Sequence, residues 1–373
     1  MQQLYINKII GMGYIKEVRK ALRTNRFVSD LFYFLHIDDL LIRLGSKSFE
    51  NAIENAIEKF RPELKKTSNT EIEKVKNEIR HSYYVCKSSP DEYFLMGLYN
   101  FDDEGKRSFV TDKFLYMTMS RLSSRKKHDE EIENKWNFYK LATPYFKRQA
   151  VGIFTNRDFD DFKRVALDIH DLILKPLDAC MGKGISAVNI TNEEQAKMVF
   201  DSMIEKGGAW IVEERIRQTK EMAIWCESCV NTVRFLSILN KNTGFHAIKP
   251  FLRTGRKGAI VDNAGSGGIF ANVDVKSGIL CTCGIDELGN RYIEHPDTHI
   301  KFEGWQIPQY NQLVDMVKEM HEKIMPTHPY IGWDLALTDK GWVVIEANWG
   351  QFVNQYIDHV GLKKEFLQYV EGK

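Results

Sequence analysis

The chain has 373 residues, a hydrophobic content of 43% and a formal net charge of +1, from 52 basic and 51 acidic residues. This length is too great for one small core and predicts two or three domains or subdomains, while the hydrophobic content excludes global disorder. The near balance of charge argues against a nucleic-acid partner for the chain as a whole.

The N-terminal segment has no basic head followed by an unbroken apolar core, so we expect no secretory signal. No stretch of the sequence approaches the roughly 18 apolar residues that are needed to span a bilayer. Six cysteines in a chain of this size are typical of a reducing compartment. We therefore expect a soluble, cytoplasmic protein.

Residues 1–130 are predicted to be mainly helical. Ile10, Tyr14, Val18 and Leu22 recur at helical spacing with basic residues between them, which predicts a basic amphipathic helix. Such a helix can lie on an anionic membrane surface, as a peripheral contact. It can also cover the protein's own core with its Lys and Arg side chains in solvent, and we favour this alternative. Further along, the spacing of Thr70 and Glu73 matches a helix capping box.

Beyond residue 150 short apolar runs alternate with turns, which predicts an α+β fold with largely antiparallel sheets. Helical patterns lie between some of the runs, at 193–206 and 307–325. The predicted strands are 171–177, 209–214, 230–239, 245–252, 267–275, 330–337 and 342–347.

The last two of these strands form a predicted β-hairpin that carries polar side chains. Glu346 and Asn348 are two residues apart, so they share one face of their strand. Asp334 lies on the partner strand, where it can face them across the pair. Two carboxylates and an amide oxygen on one surface are suited to Mg²⁺ that is bound partly through nucleotide phosphates. The alternative is that these are solvent-facing residues of an ordinary hairpin.

An apolar strand with a single lysine, Lys175, is followed by a glycine loop that contains Gly182, Lys183, Gly184 and Ser186. Backbone N–H groups of such a loop can approach phosphate oxygens while Lys175 neutralises charge. The loop is not a Walker A motif, and the sequence after it continues as a strand, which argues against a Rossmann fingerprint. A simple turn remains the alternative.

Three weaker features follow in the chain. In the first, Glu213, Glu214 and Ile216 run from a strand into a linker whose backbone can bind an adenine edge, and Glu221 can hold ribose hydroxyls. The second is Arg234 on a strand, and the third is the segment with Lys249 and Arg253. These cations could stabilise phosphoryl groups or be ordinary surface charges.

The order of these features resembles that of the ATP-grasp superfamily. The sequence around them is most similar to the sugar-transfer-associated ATP-grasp proteins of bacterial polysaccharide loci, and the resemblance covers roughly residues 90–360. The phrases that carry it are Val230-Asn-Thr-Val-Arg234, Val261-Asp-Asn263 with Gly267-Gly268, His295-Pro-Asp-Thr298 with Gly304-Trp-Gln-Ile-Pro308, and Gly332-Trp-Asp-Leu-Ala336 with Ile345-Glu-Ala-Asn348.

This resemblance implies an ATP-grasp fold in residues 131–373, preceded by the mainly helical region 1–130. A small α+β lid, about residues 140–210, and a larger α+β part, about 211–365, would grip ATP between them. Lys135 and Lys175 would contact the phosphates under the glycine loop, in which Lys183 departs from the family pattern.

The resemblance also assigns roles in binding the nucleotide and the metal. Glu213, Glu214 and Ile216 would bind adenine, and Glu221 would bind the ribose. One or two Mg²⁺ ions, with Mn²⁺ as the alternative metal, would be held by Asp334, Glu346 and Asn348. The transferring phosphate would be stabilised by Arg234, Arg253 and Lys249.

The implied activity is that of a carboxylate-amine ligase, which forms an acyl phosphate that an amine or similar nucleophile attacks. The alternatives are a kinase that phosphorylates a sugar or polyol, and a nucleotide-binding component of a glycan-assembly complex without turnover. The substrate would be a small acid or a sugar-linked molecule, with candidate contacts at Asn231, Asn263, His295 and Trp305. Trp305 could stack on a sugar face, or its segment could be a surface loop that packs its own tryptophan.

Overall fold

The computed structural model describes residues 46–123, 127, 129–177, 184–262, 265 and 267–372. The chain divides into two compact units, residues 1–79 and 80–373. The basic helix predicted around Ile10–Leu22 lies outside the described residues, and so do Gly182, Lys183 and Asn263.

The described part of the first unit is helical. Helix α1 buries Ile53, Ala56 and Ile57, whose spacing of three and four residues puts them on one face. The elements are α1 (Lys47–Phe60), a 3₁₀ helix (Pro62–Lys66) and α2 (Asn69–Cys86), which continues past residue 79 into the second unit.

The capping box predicted at Thr70 is wrong. Helix α2 already includes Asn69 and Thr70, so Thr70 cannot cap its first turn. The side chain that accepts a backbone N–H at this end belongs to Ser68, whose Oγ lies 3.3 Å from the nitrogen of Glu71. A hydroxyl side chain therefore does cap this helix, but it belongs to Ser68, two residues before the predicted Thr70.

The second unit begins with short helices before any strand. They are α3 (Pro90–Leu95), α4 (Asp103–Arg107), α5 (Asp112–Leu122) and α6 (Lys135–Phe146). The helices between residues 80 and 122 therefore belong to the same compact unit as the sheets, and the domain boundary near residue 130 stays a prediction. Across the described ranges, no helix combines the length and the apolar character needed to cross a bilayer.

A four-stranded sheet, with strand order β1-β4-β2-β3 and antiparallel pairing throughout, forms a small subdomain. Helices α7 and α8 pack on one face of it, where Phe162 and Phe200 contact the buried strand residues. We call this assembly the small-sheet subdomain. Its elements are β1 (Ala150–Ile153), α7 (Phe159–Ile169), β2 (Asp171–Pro176), β3 (Ser186–Asn189), α8 (Glu193–Lys206) and β4 (Trp210–Glu214).

A seven-stranded antiparallel sheet, with strand order β11-β10-β5-β6-β7-β8-β9, forms the rest of the unit. Its strands are β5 (Thr232–Asn240), β6 (Gly244–Thr254), β7 (Ile269–Asn272), β8 (Gly284–Ile285), β9 (Arg291–Tyr292), β10 (Tyr330–Thr338) and β11 (Gly341–Asn348). The helices around it are α9 (Lys220–Ala223), α10 (Tyr310–Lys323), α11 (Asn354–Asp358) and α12 (Lys363–Glu371).

The two faces of the large sheet are chemically different in its central strands. Val233 and Phe235 of β5 pack with Trp333 and Leu335 of β10 in the main hydrophobic core, together with residues of α6 and α10. Successive side chains of a strand point to opposite faces, so the residues between them, Arg234 and Asp334, are directed to the other face. Because the apolar residues of β5 and β10 face the main core, Arg234 and Asp334 face the opposite side of the sheet.

Candidate active site

Two carboxylates face each other on the large sheet, away from its main core. Asp334 of β10 pairs with Glu346 of β11, and two residues away on each strand Gly332 pairs with Asn348. A side chain at Gly332 would have its Cβ 2.6 Å from the Cα of Gly350, so glycine is required where the chain passes this close. The register brings the three residues predicted as metal ligands together on one face.

Two arginines hold Asp334. Arg234, which lies opposite it on β5, donates from Nε and also from Nη2, the latter at 2.8 Å, and Arg253 of β6 donates from Nη1 at 2.9 Å. Arg234 also donates from Nη1 to Oδ1 of Asn348 at 3.3 Å. Both arginines that were predicted to stabilise a phosphate thus lie directly beside the predicted metal ligands.

The two carboxylates differ in their affinity for a proton. Burial raises the pKa of Glu346, and the neighbouring charge of Asp334 raises it further. Burial acts in the same direction on Asp334, but the charges of Arg234 and Arg253 outweigh it and hold the pKa of Asp334 well below its usual range. The two neighbouring carboxyl groups therefore shift in opposite directions, with the pKa of Glu346 above its usual range and the pKa of Asp334 below it.

Asp262 binds the guanidinium nitrogen of Arg253 that Asp334 does not bind. Its Oδ1 accepts from Nη2 of Arg253 at 2.9 Å, and its Oδ2 accepts from the backbone nitrogen of Thr232 at 3.1 Å and from the Thr232 hydroxyl. Burial raises the pKa of Asp262, and the Arg253 charge opposes that shift. Asp262 lies in the phrase Val261-Asp-Asn263 that carries the family resemblance, but the sequence analysis gave it no role, because an aspartate in a loop carries no periodic signal.

On the small-sheet subdomain, Lys175 projects from β2 and donates to Oε1 of Glu213 at 3.0 Å. Glu213 is buried and also accepts two hydrogen bonds from Arg148, a residue that the sequence analysis missed. The charge of Lys175 lowers the pKa of Glu346, although less than burial and Asp334 raise it. The predicted phosphate-binding lysine of one sheet therefore acts electrostatically on the carboxylate pair of the other.

Lys135 lies at the end of strand β2 that leads into the glycine loop. It is the first residue of α6, and its Nζ lies 3.4 Å from the carbonyl oxygen of Pro176 and 3.3 Å from that of Leu177. On the far side of the loop, Gly184 has φ of +74°, a conformation that favours glycine, and Ser186 begins β3. The end of the loop at Pro176 and Leu177 thus lies beside Lys135. The other end, at Ser186, pairs with Leu174, which precedes Lys175.

The predicted adenine and ribose contacts follow β4. Glu214 ends β4 and forms an ion pair with Lys340, and Ile216 is partly buried in the linker. Glu221 is exposed in the first turn of α9, where backbone and Thr219 hydrogen bonds lower its pKa. The Glu213 carboxylate is engaged by Lys175 and Arg148, and Glu213 pairs with β1 on one side and with β2 on the other.

Lys249 is not brought into the arginine network. It lies on β6, but its Nζ forms an ion pair with Asp358 at the end of α11. Asp358 also accepts from Asn272, and Asn354 donates to the backbone oxygen of Lys249. These contacts attach α11 to the sheet, so the described contacts of Lys249 are structural.

The predicted substrate residues that the structure describes are mostly buried. Asn231 is fully buried, and its amide nitrogen donates to Gln218, Met222 and Cys226. His295 is also fully buried and lies 3.0 Å from the backbone oxygen of Gly255.

Trp305 packs edge-on against Trp225, with ring centroids 5.3 Å apart. Trp225 in turn stacks on Phe302 at 4.7 Å, and its ring also lies edge-on to the His295 ring. Trp225 and Phe302 belong to the main hydrophobic core, and Trp305 packs against it. Trp305 is therefore a packing residue in this structure, and its predicted stacking on a sugar stays a prediction.

The donor set fits a divalent cation that is bound together with phosphate. A carboxylate has about four lone-pair positions, and the arginines occupy three of those on Asp334. Oxygen atoms remain for Mg²⁺, which takes oxygen ligands. They are offered by Glu346, by Asn348 and by the one remaining lone-pair position of Asp334. Within the described ranges no group of three or more His, Cys, Asp or Glu side chains could hold a metal, so an ion here would rely on phosphate oxygens and water to complete its shell.

Comparisons with known proteins identify the family. A family model described as sugar-transfer associated ATP-grasp matches residues 118–371, which is more than half of the chain. No significant match was found among curated proteins.

Several solved structures are similar at low identity. D-alanyl-alanine synthetase A from Vibrio cholerae O1 biovar eltor has 13% identity and a TM-score of 0.40, over 65% of this chain and 65% of that one. The biotin carboxylase domain of the Hydrogenobacter thermophilus 2-oxoglutarate carboxylase, in complex with MgADP, ADP and bicarbonate, has 13% identity and a TM-score of 0.44, over 70% and 51%. VanG D-Ala:D-Ser ligase from Enterococcus faecalis has 14% identity and a TM-score of 0.40, over 64% and 61%. The chain spans less than two thirds of the length of these structures.

Proposed function

Because the chain belongs to the sugar-transfer-associated ATP-grasp family, we propose that it is a Mg²⁺- and ATP-dependent ligase that activates a carboxylate for attack by an amine or a similar nucleophile. The observation that carries the proposal is the shared face of Asp334, Glu346 and Asn348, which Arg234 and Arg253 flank directly. We propose cell-surface polysaccharide or glycoconjugate synthesis as its setting, which the family description supports, and the cytoplasm, where ATP is made, as its location.

In this proposal each subdomain binds a different part of the nucleotide. Lys175 neutralises the phosphates from β2 of the small-sheet subdomain, Lys135 does so from the start of α6, and the linker after β4 receives the base. Asp334, Glu346 and Asn348 hold Mg²⁺, which supplies charge neutralisation for the phosphate oxygens. Arg234 and Arg253 are already fixed beside these ligands, so they need little reorganisation to meet charge that develops on the transferred phosphoryl group.

The proposed chemistry has two steps. A carboxylate oxygen of the substrate forms a bond to the γ-phosphorus of ATP, and ADP leaves with the electrons of the broken P–O bond. The nitrogen of the second substrate then attacks the acyl carbon, loses a proton and displaces inorganic phosphate. The protein contributes positioning and charge neutralisation, and no nucleophilic side chain is required.

Trapping with hydroxylamine tests the ligase. The purified protein is supplied with MgATP, hydroxylamine and a panel of sugar acids and amino acids, and products are analysed for hydroxamate, ADP and phosphate. We expect a hydroxamate whose formation depends on both ATP and one class of acid, with phosphate released in equal amount. Hydroxylamine should intercept the acyl phosphate because it is a strong nucleophile toward activated acyl carbon.

The same assay, with sugars, polyols and amines added to the panel, identifies the alternatives. A stable phosphorylated sugar or polyol, formed without release of free phosphate, would replace the ligase by a kinase. Binding of MgATP without turnover on any member of a panel that includes acids, amines and sugars would favour a nucleotide-binding component of a glycan-assembly complex.

A further inference from the structure

Arg148 connects the two sheets of the second unit. It lies between α6 and β1, its side chain is only 4% exposed, and its guanidinium is 4.3 Å from the centre of the Phe146 ring. Nε and Nη2 donate to Oε2 of Glu213 on β4 at 2.9 and 2.6 Å. Nη1 donates to the backbone oxygen of Val344 on β11 at 2.7 Å. One buried side chain therefore joins the small-sheet subdomain to the strand that carries Glu346.

Glu213 transmits this connection to Lys175. The two oxygens of Glu213 are divided between the cations, with Oε2 bound to Arg148 and Oε1 bound to Lys175. Burial alone would raise the pKa of Glu213, but the charges of Arg148 and Lys175 outweigh it and keep the carboxyl ionised. The cluster contains two positive charges, on Arg148 and Lys175, and one negative charge, on Glu213. One of the two cations is therefore enough to neutralise the Glu213 carboxylate.

Lys175 is the cation that can leave the cluster. Its side chain is 14% exposed, compared with 4% for both Glu213 and Arg148. If Lys175 turned toward a phosphate, Glu213 would still be neutralised by the two hydrogen bonds from Arg148. A buried carboxylate without any partner would be strongly unfavourable. Because Arg148 stays bound to Glu213, Lys175 can move away without leaving Glu213 unpaired.

We propose that Arg148 is a positioning residue that fixes the small-sheet subdomain against β11 and keeps Glu213 neutralised, so that Lys175 can transfer from Glu213 to a nucleotide phosphate. The proposal rests on the proposed function in its reference to nucleotide. Its structural part, the attachment of β4 to β11 through Arg148, applies to the nucleotide-free protein as well. No sequence feature assigned Arg148 any role.

A double-mutant cycle tests the proposal, with the affinity for the non-hydrolysable analogue AMP-PNP and Mg²⁺ measured by calorimetry. Arg148→Lys keeps a positive charge beside Glu213 but cannot make all the bonds of the guanidinium, and Lys175→Met removes the transferable charge. We expect Arg148→Lys to weaken binding about tenfold in the wild-type background and less than about twofold in the Lys175→Met background. Equal losses in both backgrounds would mean that Arg148 acts only through general folding, and would overturn the proposal.

Hydrogen exchange in the absence of nucleotide separates this proposal from the proposed function. Arg148→Lys should raise amide exchange in β4 and β2 at least severalfold, relative to wild type and to the control Arg157→Lys, an exposed arginine of the same subdomain. Unchanged exchange would overturn the attachment through Arg148, whatever the nucleotide affinity. If exchange rises but the wild-type protein binds no MgAMP-PNP, the proposed function and the transfer of Lys175 both fail, while the attachment stands.

Discussion

At the scale of single residues, Glu346 shows how a binding group can oppose stability. The ionised form is disfavoured by burial and by Asp334, and this is why its pKa is raised. A neutral side chain of the same size would avoid that cost and would also lose the ligand charge. The same residue is therefore expected to weaken the fold slightly and to strengthen metal binding.

We predict that Glu346→Gln lowers the Mg²⁺ affinity of the AMP-PNP complex by at least about tenfold. Its free energy of unfolding should equal or slightly exceed that of wild type, because the disfavoured charge is gone. Titration of Mg²⁺ at fixed AMP-PNP and chemical denaturation give the two quantities, with Glu322→Gln, on the exposed side of α10, as the control. A variant that binds Mg²⁺ normally would remove Glu346 from the metal site.

Asp262 is predicted to act through Arg253 and not through a substrate. Asp262→Asn keeps the shape and the contact with Thr232 but removes the charge that holds Arg253. If Arg253 stabilises charge that develops during transfer, the variant should lower kcat for ATP turnover about tenfold with little change in the KM for ATP. Steady-state kinetics decide this, and a rise in KM at unchanged kcat would assign Asp262 to nucleotide binding instead.

At the scale of elements, α10 is attached to the large sheet by a buried histidine. Nδ1 of His321 lies 2.8 Å from Oγ of Ser237 on β5, and Nε2 lies 2.7 Å from the backbone oxygen of His328. Trp333 donates to the same Ser237 oxygen at 2.7 Å. Burial lowers the pKa of His321 to about 4. The neutral ring is thus the form that fits this set of hydrogen bonds.

We predict that this histidine makes the unfolding free energy depend on pH. In the unfolded chain a histidine titrates near its usual pKa of about 6.5, so its contribution is fully present above that pH. It is lost as the pH falls toward 4, since the unfolded state then binds a proton that the folded state does not. The loss should be up to about 3 kcal/mol by this linkage.

Denaturation with urea at pH 7, 6 and 5 measures this dependence. His321→Gln should be less stable at pH 7 and should show a shallower decline toward pH 5 than wild type. His299→Asn serves as the control, because His299 is exposed and its φ of +57° is one that asparagine tolerates. Equal slopes for wild type and His321→Gln would show that the histidine does not govern the decline.

Elements with a strong period were predictable from the sequence. The helix expected at residues 193–206 is found as Glu193–Lys206, because Asn192 caps it and Gly207 follows it. Strand β1, with only Ala150–Ile153, was missed, because four residues are too few to show alternation. The helix Phe159–Ile169 is an exception, because it was missed although its buried residues Phe162, Val165 and Ala166 recur at helical spacing.

The site was predictable only in the part that lies on the paired strands. Asp334, Glu346 and Asn348 could be placed together because a hairpin fixes its own register. Arg148 and Glu213 are 65 residues apart, and no local pattern indicates that they meet. Asp262 follows no strand or helix period. Such contacts arise only when separate elements pack together.

At the scale of the whole molecule, the proposed nucleotide site has contributions from both sheets of the second unit. Lys175 belongs to the small sheet, Asp334 and Glu346 belong to the large sheet, and Lys135 on α6 contacts the end of β2. A ligand that binds both sides should therefore stabilise the folded unit, since the unfolded chain offers no such site. The stabilisation is set by concentration relative to the dissociation constant.

We predict that MgAMP-PNP at 100 times its dissociation constant raises the unfolding free energy by about 2.7 kcal/mol, and the melting temperature by roughly 5 °C for a unit of this size. Mg²⁺ alone should produce a much smaller shift, because Asp334 and Glu346 supply only two carboxylates. AMP-PNP with a chelator should also be weaker, because its phosphates would face these carboxylates without an intervening cation. Thermal unfolding followed by circular dichroism measures all three conditions. Equal shifts with and without Mg²⁺ would show that the nucleotide binds without the carboxylate pair, and its phosphates would then be neutralised without a metal.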